Sequence, residues 1–209
     1  MSKIYLLSNN KYKDVINLEV FKIQYLEPLI DCLKYDALIF TSKNAIYSLN
    51  HFNIDWKNIP SYVIAPKTAE VLKQQGGTLE FVGEHSHGNE FAQELIPHLK
   101  NKKVLYLKAK KTVSNLSNIL LENKISLDEV IVYETICNNQ TKINLEKNSI
   151  FIFTSPSSIK CFFEQYGWEK SFKAVCIGKT TSKYLPKDVE FVISSKTSIQ
   201  ECIKLAKSI

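Results

Sequence analysis

Short apolar runs rich in β-branched and aromatic residues alternate along the chain with segments whose apolar positions recur every three to four residues. This is the pattern of parallel strands joined by crossover helices. The runs predict strands over 3–7, 37–41, 61–65, 79–82, 103–107, 149–154, 173–177 and 190–193, with helices beginning near 43, 67, 89, 113, 156, 180 and 198. That is too many strands for one small sheet, so two α/β lobes are expected.

Internal repetition sharpens this picture. Ile39-Phe40-Thr41-Ser42, followed by Ile46, returns 113 residues later as Ile152-Phe153-Thr154-Ser155, followed by Ile159. At the same offset, Ile64-Ala65-Pro66-Lys67-Thr68 with Leu72 returns as Ile177-Gly178-Lys179-Thr180-Thr181 with Leu185. Each copy is a strand ending in a small polar step that opens a helix. The hydroxyls of Thr41, Ser42, Thr154 and Ser155 suit helix N-caps, and the remaining amides with the positive end of the helix dipole attract anions. Any one of them alone reads as a cap and nothing more. Repeated in two equivalent lobes, they predict a ligand cleft at the carboxyl ends of the strands.

Two stretches fall outside the copies. Residues 19–27 and 129–136 alternate with strand periodicity and flank the first copy on both sides. If they pair, they form a two-strand β-ladder through which the chain enters and leaves one lobe. The expected division is 1–18 plus 138–209 as a lobe built from both termini, 19–35 and 129–137 as the ladder, and 36–128 as the inserted lobe.

Composition narrows the function. With 44% hydrophobic and 23% charged residues the 209-residue chain can bury a core. All 27 basic residues are Lys and none is Arg; against 21 acidic residues this leaves a net charge of +6. An anionic partner is implied, held without any guanidinium fork. The chain also carries 16 Asn and 23 Ile, so an AT-rich coding bias accounts for the Lys-for-Arg usage more simply than a demand of the site. Lys108, Lys110 and Lys111 near Tyr106 imitate a nucleic-acid patch, but base readout favours the missing Arg, so no nucleic-acid partner is expected.

No run approaches the roughly 20 apolar residues of a membrane helix, and the start, Met1 to Ser8, turns polar too soon for a secretory signal. A soluble cytoplasmic protein is expected. Cys32, Cys137, Cys161, Cys176 and Cys202 are odd in number and widely spaced, which predicts reduced thiols, mostly in the core. His85 and His87 share a polar loop and make a weak metal site. Gly178-Lys179-Thr180-Thr181 ends like a P-loop, but the loop's first glycine would fall on Lys173, and no G-x-G-x-x-G follows a strand. No Ser-His-Asp or Cys-His arrangement emerges from spacing.

Five motifs in order carry a family resemblance: Phe40-Thr41-Ser42-Lys43-Asn44-Ala45, Gly88-Asn89, Val130-Ile131-Val132-Tyr133-Glu134-Thr135, Phe153-Thr154-Ser155-Pro156-Ser157-Ser158 and Ile177-Gly178-Lys179-Thr180-Thr181. Over nearly its full length the chain resembles the uroporphyrinogen-III synthases. The resemblance implies two flavodoxin-like, pseudo-repeated α/β lobes with parallel sheets, joined by a two-strand β-ladder. It also implies a cofactor-free, metal-free lyase of heme biosynthesis that cyclises hydroxymethylbilane, a linear tetrapyrrole with eight carboxylates, to uroporphyrinogen III with inversion of ring D. Loss of the terminal hydroxyl gives an azafulvene; attack from the substituted carbon of ring D gives a spiro intermediate that fragments and recloses inverted. A monomer is implied, with no membrane partner and only transient contact with hydroxymethylbilane synthase.

Carried onto this sequence, the resemblance assigns a proton-donor role to Tyr133, which could equally be a side chain packing the ladder. It assigns substrate binding to Thr41, Ser42, Lys43, Thr68, Gly88, Asn89, Thr154, Ser155, Ser157, Gly178, Thr180 and Thr181. Three departures stand out, one being that the chain offers only lysines after the strand at 103–107. Where the family usually has an Arg shortly after its first strand, this chain has Leu7-Ser8-Asn9-Asn10-Lys11, and Ala65 replaces the usual Gly of the first repeat. The alternative reading is a non-catalytic two-lobe module binding a small polyanion.

Overall fold

The structure is a computed structural model that describes residues 2–85, 87–138 and 142–209. In chain order its strands are β1 (Ile4–Leu7), β2 (Ile16–Asn17), β3 (Phe21–Tyr25), β4 (Ala37–Phe40), β5 (Ser61–Val63), β6 (Leu79–Val82), β7 (Lys103–Ala109), β8 (Ser126–Cys137), β9 (Ile150–Phe153), β10 (Lys173–Cys176) and β11 (Phe191–Ile193). Its helices are α1 (Lys43–His51), α2 (Pro66–Gln74), α3 (Gly88–Leu99), α4 (Leu116–Glu122), α5 (Pro156–Gln165), α6 (Lys179–Ser182) and α7 (Ile199–Lys207). The chain divides into two units, Ile23–Glu134 and Met1–Lys22 with Thr135–Ile209.

In the central unit, β4 is apolar at all four positions because both of its faces are covered, as parallel strands require. Its sheet runs β3-β8-β7-β4-β5-β6. Leu38 and Phe40 enter one core with Ala45, Ile46 and Leu49 of α1 and with Trp56. Ala37 and Ile39 enter the other core with Phe91, Ala92 and Leu95 of α3. Each such large side chain contributes on the order of 1.5–3 kcal/mol by leaving water.

The terminal unit repeats the scheme in a sheet ordered β11-β10-β9-β1-β2. Phe151 and Phe153 of β9 pack with Ile159 and Phe162 of α5, while Ile150 and Ile152 pack with Cys202, Ile203 and Ala206 of α7. The repetition read in the sequence extends to single hydrogen bonds: Ile64 N–H donates to Phe40 O at 3.1 Å, and Ile177 N–H to Phe153 O at 3.0 Å. Ser42 and Ser155 are the N-caps of α1 and α5.

β3 and β8 pair antiparallel, since Leu26 N–H donates to Val132 O and Asn138 N–H to Val20 O in opposite chain senses. On its other edge β8 runs parallel to β7, in register from Lys103 opposite Ser126 to Lys108 opposite Ile131. The register then slips, leaving Ala109 opposite Tyr133. One extra residue in β8 turns both Val132 and Tyr133 into the same core, which strict alternation forbids.

Three expectations shift. β2, at two residues, is too short to show a period. α4 starts at Leu116 rather than near 113, because 110–115 is a loop whose Asn115 N–H is taken by Asn89 Oδ1 at 2.8 Å. The expectation of reduced cysteines fails for one pair: Cys137 and Cys161 are disulfide-bonded, with Cα atoms 5.1 Å apart, while Cys32, Cys176 and Cys202 are free and buried as expected. The bonded residues are 24 apart in sequence and meet only because the end of β8 packs on α5, which spacing does not reveal. In denaturant without reductant three thiols per chain are expected to react with a thiol reagent, and all five after reduction. Five in both would remove the bond.

Candidate active site

Where β4 ends, the chain must change from a strand buried on both faces to a helix start. Ser42 Oγ accepts from Asn44 N–H at 3.2 Å, capping α1. The Thr41 hydroxyl lies 2.9 Å from the Tyr106 hydroxyl. Parallel pairing sets Ile39 opposite Tyr106, and Thr41, two residues further on, shares their face. Tyr133 approaches from the other core, packed with Phe40, Leu107 and Val132. Its position is secured by the Val132 carbonyl, which accepts both the Ser48 hydroxyl of α1 at 2.5 Å and the Leu26 amide at 2.9 Å.

Both phenols are held neutral. Burial raises the Tyr133 pKa, with the neighbouring Ser42 hydroxyl pulling the other way. Burial pushes Tyr106 up to about 12, Thr41 opposing and Tyr133 and Glu129 adding to the rise. At neutral pH each therefore keeps an O–H to donate. Tyr106 was not among the candidate site residues, although a tyrosine inside an otherwise aliphatic stretch beside the strand of Thr41 was a usable signal.

One strand over, Thr68 lies in the first turn of α2 and is 7% exposed. At the start of α3 the visible roles are structural. A side chain on Gly88 would collide with Ser114, and Asn89 holds the Asn115 amide. The turn before α3 is tied by Glu94, which accepts from Glu84 N–H at 2.9 Å and His85 N–H at 3.3 Å and meets His85 Nδ1 at 2.6 Å.

In the terminal unit the matching positions gather at the ends of the adjacent strands β9 and β10. The Thr154 hydroxyl donates to Leu7 O at 2.6 Å. Ser155 and Ser158 form a reciprocal capping box at the start of α5, with Ser157 half-buried in its first turn. Gly178 caps α6 in extended backbone with open space beside it, Thr180 is exposed, and Thr181 is buried. Thus Thr41, Ser42, Lys43 and Tyr133 come together, as do Thr154, Ser155 and Ser157.

Fewer main-chain donors remain than expected. Pro66 and Pro156 occupy first helical positions and have no N–H, and the Ser42 and Ser155 side chains take a further amide each. Lys43, Lys67, Lys111 and Lys179 are exposed. Lys108 pairs with Glu129 at 3.0 Å and Lys110 with Glu134 at 2.9 Å, so the lysine cluster that imitated a nucleic-acid patch is largely neutralised. Among the described residues the one grouping with metal-ligand spacing is Cys137, Cys161 and Glu164, and its two sulfurs are bonded to each other.

Parallel sheets in two repeated units, each with a serine-capped helix start at the end of a central strand, define an α/β protein of duplicated architecture. The family model described as Uroporphyrinogen-III synthase HemD matches residues 17–204, and the chain belongs to that family. The motif resemblance is thereby borne out. The chain is similar to the crystal structure of uroporphyrinogen-III synthetase from Helicobacter pylori 26695, at 31% identity and a TM-score of 0.88, covering 100% of this chain and 99% of that one. A mutant uroporphyrinogen III synthase from the extremely thermophilic bacterium Thermus thermophilus shares the fold at 13% identity and a TM-score of 0.57, covering 100% and 99%. The porphyrin biosynthesis protein HemD of Ruminiclostridium josui is 28% identical over 187 residues, which is 81% of this chain, and this chain spans 37% of that protein's length.

The His85–Glu94 pair gives a pH signature. The hydrogen bond to Glu94 raises the His85 pKa above 6.5. Burial acts to raise Glu94, but the bonds from His85 and from the amides of Glu84 and His85 outweigh it and lower the pKa below 4.5. The His85 contribution is full below pH 6.5 and fades as pH rises through its raised value; that of Glu94 is full above pH 4.5 and fades on acidification. The tie is therefore strongest between about pH 4.5 and 6.5. An NMR titration should place the His85 midpoint above 6.5, and Glu94→Gln should bring it down. A midpoint unmoved by that substitution would exclude the pairing.

Proposed function

We propose that this chain cyclises hydroxymethylbilane to uroporphyrinogen III with loss of water and inversion of ring D, using no cofactor. The observation that carries the reading is the buried, neutral Tyr133 beside the Ser42 cap, in a chain of the uroporphyrinogen-III synthase family. Tyr133 is the proton donor to the departing hydroxyl: its O–H stays intact well above neutral pH, and donation by a positioned group accelerates such a step by about 10²–10⁴-fold. Thr41, Ser42, Lys43 and Thr68 are carboxylate-binding positions, and so are Ser155, Ser157, Thr180 and Thr181. Gly88 and Asn89 shape the start of α3, and Gly178 leaves open space at α6. Thr154, whose proton is committed to Leu7 O, contributes as an acceptor for pyrrole N–H groups.

Most of the rate comes from positioning, because the enzyme must only bring the correct carbon of ring D to the cation before spontaneous closure to the uninverted isomer. A substrate that closes unaided favours quick transfer, hence transient contact with hydroxymethylbilane synthase by a cytoplasmic monomer. Among the described residues no helix is long and apolar enough to cross a membrane.

The test supplies freshly made hydroxymethylbilane and resolves the oxidised porphyrin isomers. Isomer III is expected; isomer I alone, at the spontaneous rate, would overturn the reading and, with ligand-dependent thermal stabilisation, would favour a binding module instead. Tyr133→Phe should lower kcat by about 10²-fold with an unchanged circular dichroism spectrum. Unchanged turnover would remove the acid role. Thr181→Leu should raise KM, and normal kinetics would exclude this position from the binding map.

A further inference from the structure

Thr41 and Thr154 occupy equivalent places in the two copies, yet their hydroxyls are committed differently. Thr154 has given its O–H to the Leu7 carbonyl, leaving lone pairs to offer a ligand. Thr41 meets another hydroxyl, that of Tyr106 at 2.9 Å, and the direction of that bond is set by whichever oxygen has the better alternative. The Tyr106 ring is 2% exposed and packed among Ile39, Phe91 and Leu116, so its hydroxyl has little freedom to seek another acceptor. Thr41 is only half-buried, at the carboxyl edge of the sheet beside Ser42 and Lys43.

We propose that Tyr106 is a positioning residue for the candidate active site: its phenol donates to Thr41 Oγ1 and thereby turns the Thr41 proton outward, toward a substrate carboxylate. The inference deepens the synthase reading and rests on it. A carboxylate accepts and never donates, so a threonine facing one must keep its proton free, and a fixed donor behind it enforces that orientation. Bonds in such a chain polarise one another, so the outer bond strengthens. The phenol, pushed up to about 12, does not ionise at working pH and adds no negative charge near the substrate. In a chain with no Arg, neutral donors aligned this way take on part of the work of a guanidinium.

Tyr106→Phe deletes one oxygen and keeps the ring. With hydroxymethylbilane as substrate, KM should rise by roughly tenfold while kcat stays within about twofold, the effect of losing one charge-assisted hydrogen bond. Thr41→Val should do the same, Thr41→Ser should keep KM near the wild-type value, and Tyr106→Phe combined with Thr41→Val should be no worse than Thr41→Val alone. Circular dichroism and the urea midpoint check that each variant folds. Wild type that makes isomer III while Tyr106→Phe leaves KM unchanged, or losses that add in the double variant, would overturn the positioning role and leave the synthase reading intact. Wild type that makes only isomer I would instead overturn the synthase reading, and this inference with it.

Discussion

A parallel strand covered on both faces reads as a near-continuous apolar run, and the candidate site depends on where that run stops in β4. β4 is apolar throughout, so polarity first appears at Thr41 and Ser42, where the backbone turns from strand to helix. Successive side chains still point to opposite faces there. Thr41 turns to Tyr106 on one side of the sheet, and Ser42 lies beside Tyr133 on the other. The cap on α1 and the contacts of Thr41 with Tyr106 and of Ser42 with Tyr133 all follow from one two-residue step.

The same step recurs in the terminal unit with a different result. In the central unit the order β7-β4-β5-β6 surrounds the copy, and in the terminal unit β1-β9-β10-β11 does so. β7 follows β4 in the chain, whereas β1 precedes β9, so equivalent neighbours are filled from opposite chain directions. β1 offers Thr154 a backbone carbonyl where β7 offers Thr41 a tyrosine hydroxyl. Duplicated backbone thus carries different side-chain bonding: one threonine hydroxyl is tied to a neighbouring strand's carbonyl, and the other meets a phenol.

Absence of arginine limits how anions can be held. Two helix starts lose an amide to proline, and two of the three clustered lysines are tied to glutamates. What remains is a set of hydroxyls and exposed lysines whose orientation must be supplied by neighbours. Tyr106 and Ser48 are such neighbours, the first bonded to the Thr41 hydroxyl and the second to the Val132 carbonyl.

By itself the sequence determined the two apolar βα copies, the positions of the helices and longer strands, the Ser42 and Ser155 caps, and the family, because these depend on local periodicity, capping chemistry and ordered motifs. Only the tertiary structure decided the Cys137–Cys161 bond, the commitment of Thr154 to Leu7, the partnership of Thr41 with Tyr106 and the slip that turns Tyr133 into the core. Each of these depends on which residues of separate elements lie opposite one another. That register is set by whole sheets packing on both faces, and no window of neighbouring residues contains it.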